Sequence, residues 1–356
     1  MKTSLTILAA FVLLCSCGER FESGSSFLDA PAGTVSLTIS EEALTKAAAT
    51  DGEKALNSLC LAVFGSDGKL ELFRNCNSSD IQTASSDGLQ LEVKSGTKCI
   101  WAVSNVDASK FSEATTLNTF RNVALQLGEC SSASLAMKAE VQNLGVEAGR
   151  TTSAVLNLER FVSRVSLVKV VNRLPESYGT LRVKSMYLAN VVCNDNISQS
   201  AAPQEWCNPL GHGGTVLSAG TVIGNGSVEA KYPDLTFRTI GADVANGASG
   251  QISGKSVYGF RNASQTAPVP RVNGFPENGC KSVLYVIATI SGTDYWYPVV
   301  MDSLVSNCNY NVELTITMPG QRPEDDDFGG GVTKGCLEVG ITVSDWSDGA
   351  DRYETI

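Results

Sequence analysis

One histidine and eleven cysteines carry most of the reactive chemistry in this 356-residue chain. His212 lies in the glycine-rich stretch "PLGHGG", whose composition is that of a turn. A single histidine rules out multi-histidine metal sites, and it weighs against a Ser/His/Asp or Cys/His nucleophilic machine. The chain has no phosphate-loop motif, no G-x-S-x-G and no G-x-G-x-x-G. Its residue types advertise no enzyme, no metal and no cofactor.

The cysteines divide by position. Lys2 and the apolar run Leu5 to Leu14 make a secretory signal, since a spanning helix needs ~20 apolar residues. The run ends in "LCSC", Leu14 to Cys17, which resembles a bacterial lipobox and selects Cys17 for lipidation. Cutting before Cys15 would put Leu14 where a small residue is required. A diacylglycerol on Cys17 would anchor the chain by acyl burial, at ~0.8 kcal/mol per CH₂. Gly18 is not the Asp that holds a lipoprotein at an inner membrane, so the expected location is the outer membrane and cell surface. Residues 1–16 are the signal peptide, and "GERFESGSSFLDAPAG" after Cys17 is a polar tether. Nine cysteines then remain, an odd number without any C-x-x-C. Several sit in apolar runs such as "SLCLAVF" and "KCIWAV", where a buried thiol packs as a small hydrophobe. Cys193 and Cys207 flank a Pro/Asn loop and are the best-placed disulfide pair.

The elements that must carry these residues are strands. Charged residues are only 18% of the chain, while Gly, Ser, Thr, Val and Asn abound, a balance that favours sheets joined by turns. A net charge of −10 excludes nucleic acid as a natural partner. "TVSLTIS" alternates Val35, Leu37 and Ile39 on one face, as a half-buried strand does. "LCLAVF", the Asp67-Gly68 turn and "KLELF" make a hairpin. "LQLEVK", "KCIWAV", "TLRVKSMYLANVV", "SVLYVIATI", "DYWYPVVMD", "YNVELTITM" and "CLEVGITVSDW" follow. "AVLNLERFVSRVSLVKVVN" is one bent strand or two. Leu117, Phe120 and Ala124 recur at helical spacing before Gly128 and predict one short helix. The expected fold is mainly β: two antiparallel β-sandwich domains in tandem, of transthyretin-like or Greek-key type. The first domain covers residues 47–158 with the helix, and the second covers 159–356. An acidic, glycine-ended linker, 323–331, sets off the last strand at 336–346.

In this order the stretches resemble the fimbrillins, the major fimbrial subunit and Mfa-like proteins of the Bacteroidales. The resemblance rests on the lipobox, "ALTKAAATDGEKALNSLCLAVFGSDGKL", "LAMKAE", "NLERFVSRVSL", "VYGFRNAS", "YWYPVVM", "NCNYNVELTITMPG" and "LEVGITVSDWSDG". It implies export as a lipoprotein and cleavage of the loop after the first strand by a trypsin-like protease. Loss of that strand opens a groove, which a C-terminal strand of a neighbouring subunit fills. The physics is strand addition to an unpaired sheet edge, and head-to-tail contacts of this kind build filaments.

Carried onto this chain, the removed segment is 17–46 and the scissile bond is Lys46-Ala47. The family's usual residue there is Arg, which leaves the protease open. The donor strand presents Leu337, Val339, Ile341 and Val343 on one face. Partners are then other copies of the chain and other fimbrial subunits, the maturation protease, and the outer membrane through Cys17. Two alternatives stand beside a polymerising, adhesion-supporting subunit: an anchor, accessory or tip subunit that keeps its lipid, and a monomeric surface glycan- or protein-binding lipoprotein. Trp101, Trp206, Trp296 and Trp346 are scattered and read as core rather than as a sugar platform. Arg160 and Arg164 share a strand face, either paired with carboxylates between domains or solvated.

Overall fold

The computed structural model describes residues 31–40, 51–201, 203, 205–208, 216–217, 230–262, 281–322, 336–346 and 351–355. Cys17, Lys46, Ala47, His212 and the linker 323–331 lie outside the described residues.

Nine strands build the first part: β1 (Ala32–Ile39), β2 (Leu59–Phe64), β3 (Leu70–Cys76), β4 (Leu89–Lys94), β5 (Gly96–Ser104), β6 (Ala124–Gln126), β7 (Met137–Val146), β8 (Thr151–Leu156) and β9 (Glu159–Arg160). Two sheets result, one in the order β4-β1-β8 and one in the order β3-β2-β5-β7-β9. The strict alternation of "LQLEVK" buries Leu89, Leu91 and Val93 on one face of β4. They meet Val35, Leu37 and Ile39 of β1, and Leu61, Val63, Ile100 and Met137 of the other sheet, in a single core. Every side chain of β2 is buried. Its second face, Cys60, Ala62 and Phe64, packs under Phe111 and Phe120. That second cover explains why "LCLAVF" reads as a continuous apolar run rather than an alternating one.

The second part holds β10 (Val162–Asn172), β11 (Leu181–Ala189), β12 (Val191–Val192), β13 (Asn194–Asn196), β14 (Trp206–Cys207), β15 (Val216–Leu217), β16 (Phe237–Val244), β17 (Ser249–Gln251) and β18 (Ser256–Phe260). It continues with β19 (Val283–Ile290), β20 (Thr293–Val300), β21 (Cys308–Ile316), β22 (Leu337–Asp345) and β23 (Asp351–Thr355). A six-stranded sheet runs β17-β10-β21-β22-β23 with β18 also on β10, and a four-stranded sheet runs β16-β11-β19-β20. Val165, Leu167, Val183, Met186, Val286, Val312 and Leu314 lie in the large core that includes both sheets.

The mainly-β fold expected from the sequence is the fold observed, with differences in detail. Two ladders are parallel, β1 with β8 and β10 with β21, where only antiparallel pairing was expected. The stretch "AVLNLERFVSRVSLVKVVN" makes three strands, β8, β9 and β10, not one or two. The short helix closes at Leu117–Arg121, and Ala124 opens β6 instead of extending it, because β6 pairs with β13. A nine-residue helix, Ser78–Ser86, was not expected. Its only fully buried side chain is Ala84, so it has no apolar stripe to reveal it, but Asn77 and Asp80 form a capping box that marks its start.

Candidate functional site

β1 is the middle strand of its sheet. It pairs antiparallel with β4 from Ala32↔Lys94 to Leu37↔Leu89, and parallel with β8 from Thr34↔Thr151 to Ile39↔Leu156. Val35, Leu37 and Ile39 are at most 1% exposed. Taking β1 away would therefore leave a slot with two unpaired strand edges for walls and an apolar floor. One place in the slot is tight. A Cβ on Gly33 would sit 2.5 Å from the Glu147 carbonyl oxygen and 2.6 Å from Val146 Cγ1, so only glycine fits there. On the other face of β1, Ser36 Oγ accepts a hydrogen bond from Gln90 Nε2 at 2.8 Å.

The sequence-predicted donor residues are all on β22. In this subunit β22 is docked in its own sheet, antiparallel to β21 from Cys308↔Asp345 to Ile316↔Leu337, with β23 on its outer edge. Ile341 is buried at 5% exposure, while Leu337, Val339 and Val343 are only partly buried against the core. The strand is therefore part of its own subunit's packing here, not a free tail.

A buried polar cluster lies at the end of β22. Glu53, on the short helix Asp51–Lys54, is 1% exposed. Its carboxylate accepts from Arg164 Nη1 at 3.0 and 3.2 Å and from the Tyr258 hydroxyl at 2.7 Å. Its main-chain carbonyl accepts from Arg160 Nε and Nη2 at 3.2 and 2.8 Å. Both guanidiniums lie over the Trp346 ring, 4.5 Å away for Arg160 and 5.0 Å for Arg164. Arg164 Nε also donates to Asn309 Oδ1 at 2.8 Å. Burial draws the Arg160 pKa down to about 10, with Glu53 opposing that shift. Burial first, then the Glu53 carboxylate, pushes Tyr258 well up. The arginine pair is thus buried and matched with an acid from the first part of the chain, and the solvated alternative is excluded. Sequence spacing placed Arg160 and Arg164 on one face, but Glu53, 107 residues before Arg160, carried no signal of its own.

The cluster joins the residues that follow the segment 41–50 to the end of the last strand. Glu53 lies seven positions after Lys46, and Trp346 immediately follows β22. The main-chain N–H of Trp346 donates to the Asn307 carbonyl at 2.9 Å.

Elsewhere the expected sites resolve simply. Trp101, Trp206, Trp296 and Trp346 are all at most 7% exposed, so none of the four offers a sugar an open face. Cys193 and Cys207 are both buried free thiols in this structure, not a disulfide. They are close neighbours all the same, and the contact with the Cys193 thiol raises the pKa of Cys207. Among the described residues no cluster of His, Cys, Asp or Glu could hold a metal, and no helix is long and apolar enough to cross a membrane.

Comparison with known proteins agrees with this architecture. Residues 33–172 match the family model of the major fimbrial subunit protein (FimA). No curated protein matches the chain. Among solved structures, a fimbrilin (FimA) from Porphyromonas gingivalis W83 aligns with a TM-score of 0.58 at 13% identity, over 88% of this chain and 97% of that one. The tip fimbrial protein Mfa3 from Porphyromonas gingivalis, with a C-terminal truncation, aligns at 0.52 and 13% identity, over 89% and 100%. A fimbrial assembly protein from Parabacteroides distasonis aligns at 0.50 and 14%, over 91% and 100%. At such identities the structures attest the shared fold, and the family-model match extends over residues 33–172.

Proposed function

Because residues 33–172 match the family model of the major fimbrial subunit protein, we propose that this chain is a structural subunit of a cell-surface fimbrium. It is exported as a lipoprotein through Cys17 and activated by a cut at Lys46-Ala47. Removal of 17–46 takes β1 with it, and the C-terminal strand of a neighbour enters the vacated slot. The chain supports adhesion as part of a filament and performs no catalysis.

One observation carries the proposal: the strand next to the cleavage segment is the middle strand of its sheet, not an edge. Loss of an edge strand would expose one row of backbone groups. Loss of β1 exposes two, along β4 and β8, with three fully apolar pockets between them. Such a slot must be refilled, because unpaired buried N–H and C=O groups are costly. The donor gains by moving. Leu337 and Val339 are only partly buried at home, whereas the pockets of Val35, Leu37 and Ile39 are closed to water. Each side chain that becomes fully buried contributes up to ~1.5–3 kcal/mol.

The test is Lys46→Ala. The variant should reach the surface as a full-length, lipid-bearing chain and form no filaments, because β1 still fills the slot. Filaments of wild-type length from Lys46→Ala cells would remove the activation step from this account.

A further inference from the structure

Resting on the strand exchange proposed above, we infer that the entering segment is residues 335–341 of a second copy, running in the direction of β1 and held in one register. Gly335 takes the place of Gly33, Leu337 that of Val35, Val339 that of Leu37 and Ile341 that of Ile39.

The tight point of the slot sets the register. Both atoms that a Cβ on Gly33 would strike belong to β7 and the residue after it, and one is a main-chain carbonyl, which cannot swing aside. Any strand that fills the slot therefore needs a glycine at that position and apolar residues two, four and six places further on. β1 itself reads Gly33-x-Val35-x-Leu37-x-Ile39. The C-terminal tail repeats the pattern once, as Gly335-x-Leu337-x-Val339-x-Ile341. The two sets hold the same three apolar residue types, one Val, one Leu and one Ile, so the summed side-chain volume in the slot is conserved. Volume-conserving exchanges are the ones that packed cores tolerate best.

The two glycines that follow Gly335 fail on chemistry. Gly340 in the place of Gly33 puts Thr342 and Ser344 into the Val35 and Leu37 pockets if the strand runs with β1, and Glu338 into the Val35 pocket if it runs against it. Gly349 brings Asp351 to the Val35 pocket. A buried, unpaired carboxylate or hydroxyl opposes each of these arrangements. Running with β1 also preserves both ladders, antiparallel to β4 and parallel to β8.

On the opposite face of β1, where Ser36 is itself buried at 9% exposure, the incoming carboxylate finds a hydrogen-bond donor. In this register Glu338 replaces Ser36, opposite Gln90. Gln90 Nε2, which donates to Ser36 Oγ, can donate to the carboxylate instead. The longer side chain lies beside Gly88, which has no side chain to obstruct it and sits at φ +90°.

Paired cysteines read the register directly. Glu338→Cys with Gln90→Cys should join neighbouring subunits into a disulfide ladder on a non-reducing gel, above the background set by each single variant. Glu338→Cys with Glu92→Cys, two residues off, should not. Separately, Gly335→Val should lower filament yield at least tenfold and leave the melting of the unassembled subunit unchanged. A ladder at 338–92 in place of 338–90, or Gly335→Val filaments at wild-type yield, would overturn the register. Filaments from a chain lacking 332–356 would overturn the exchange itself and the register with it.

Discussion

Glu53→Gln removes one charge from the buried cluster and almost no volume. The amide keeps one oxygen for Tyr258 or Arg164 but no negative charge. Arg164, at 7% exposure, would then lose the charge that matches it while keeping Asn309 and the Trp346 face among its partners. Breaking one side of a buried ion pair costs ~3–5 kcal/mol. The remaining hydrogen bond and the ring contact place this case at the lower end, about 3 kcal/mol. Removing both charges, with Glu53→Gln and Arg164→Met together, should recover much of that loss, since a buried pair replaced by apolar groups is often neutral. The double-mutant cycle should therefore show a coupling of roughly 2 kcal/mol. Urea unfolding of the unlipidated precursor measures all four corners. Hydrogen exchange over residues 337–345 should also quicken in Glu53→Gln, because Trp346 loses the ordered guanidiniums beneath it. Single variants within about 0.5 kcal/mol of wild type, as for ordinary surface changes, or an additive cycle, would refute the view that this cluster ties the first domain to the last strand.

Three further outcomes are expected. Ile341→Asp should destabilise the uncut subunit by about 2 kcal/mol or more in a chemical melt, because the side chain is 5% exposed in its own sheet; an unchanged melt would show that β22 is undocked before assembly. Cys17→Ala should abolish incorporation of a clickable fatty acid, and persisting label would exclude the lipobox. Burial pushes the Cys60 and Cys130 thiols up to about 11 and Cys76 to about 12. These thiols hold their protons in the folded state after unfolded thiols, with a pKa of ~8.5, have lost theirs. Their contribution to stability is complete below about pH 8.5 and falls as pH rises toward 11. The urea midpoint should therefore decline over that window, while the folded protein at pH 8 resists iodoacetamide at these three positions.

Much of this was legible in the residues. Period-two alternation gave β1, β4 and β22 nearly to their ends, because each has one face on a core and the other less buried. Where both faces are covered, as in β2, the apolar run revealed a strand but not its second layer. Parallel pairing of β1 with β8 was invisible, since direction and neighbour choice depend on contacts more than 100 residues apart. For the same reason the arginine pair could be placed on a face but not given its partner. Gly33 carries no signal in the sequence; only the approach of the Glu147 carbonyl shows why no other residue fits. The nine-residue helix was missed because its sequence, "SSDIQTASS", packs on the sheet of β1 and β4 with little apolar surface, and its capping residues were the sole cue.

N-terminal sequencing of the subunit sheared from the cell as filaments tests the central claim most directly. The polymerised chain should begin at Ala47 and lack β1. A polymerised chain that begins at the lipidated Cys17 and retains Val35, Leu37 and Ile39 would contradict it.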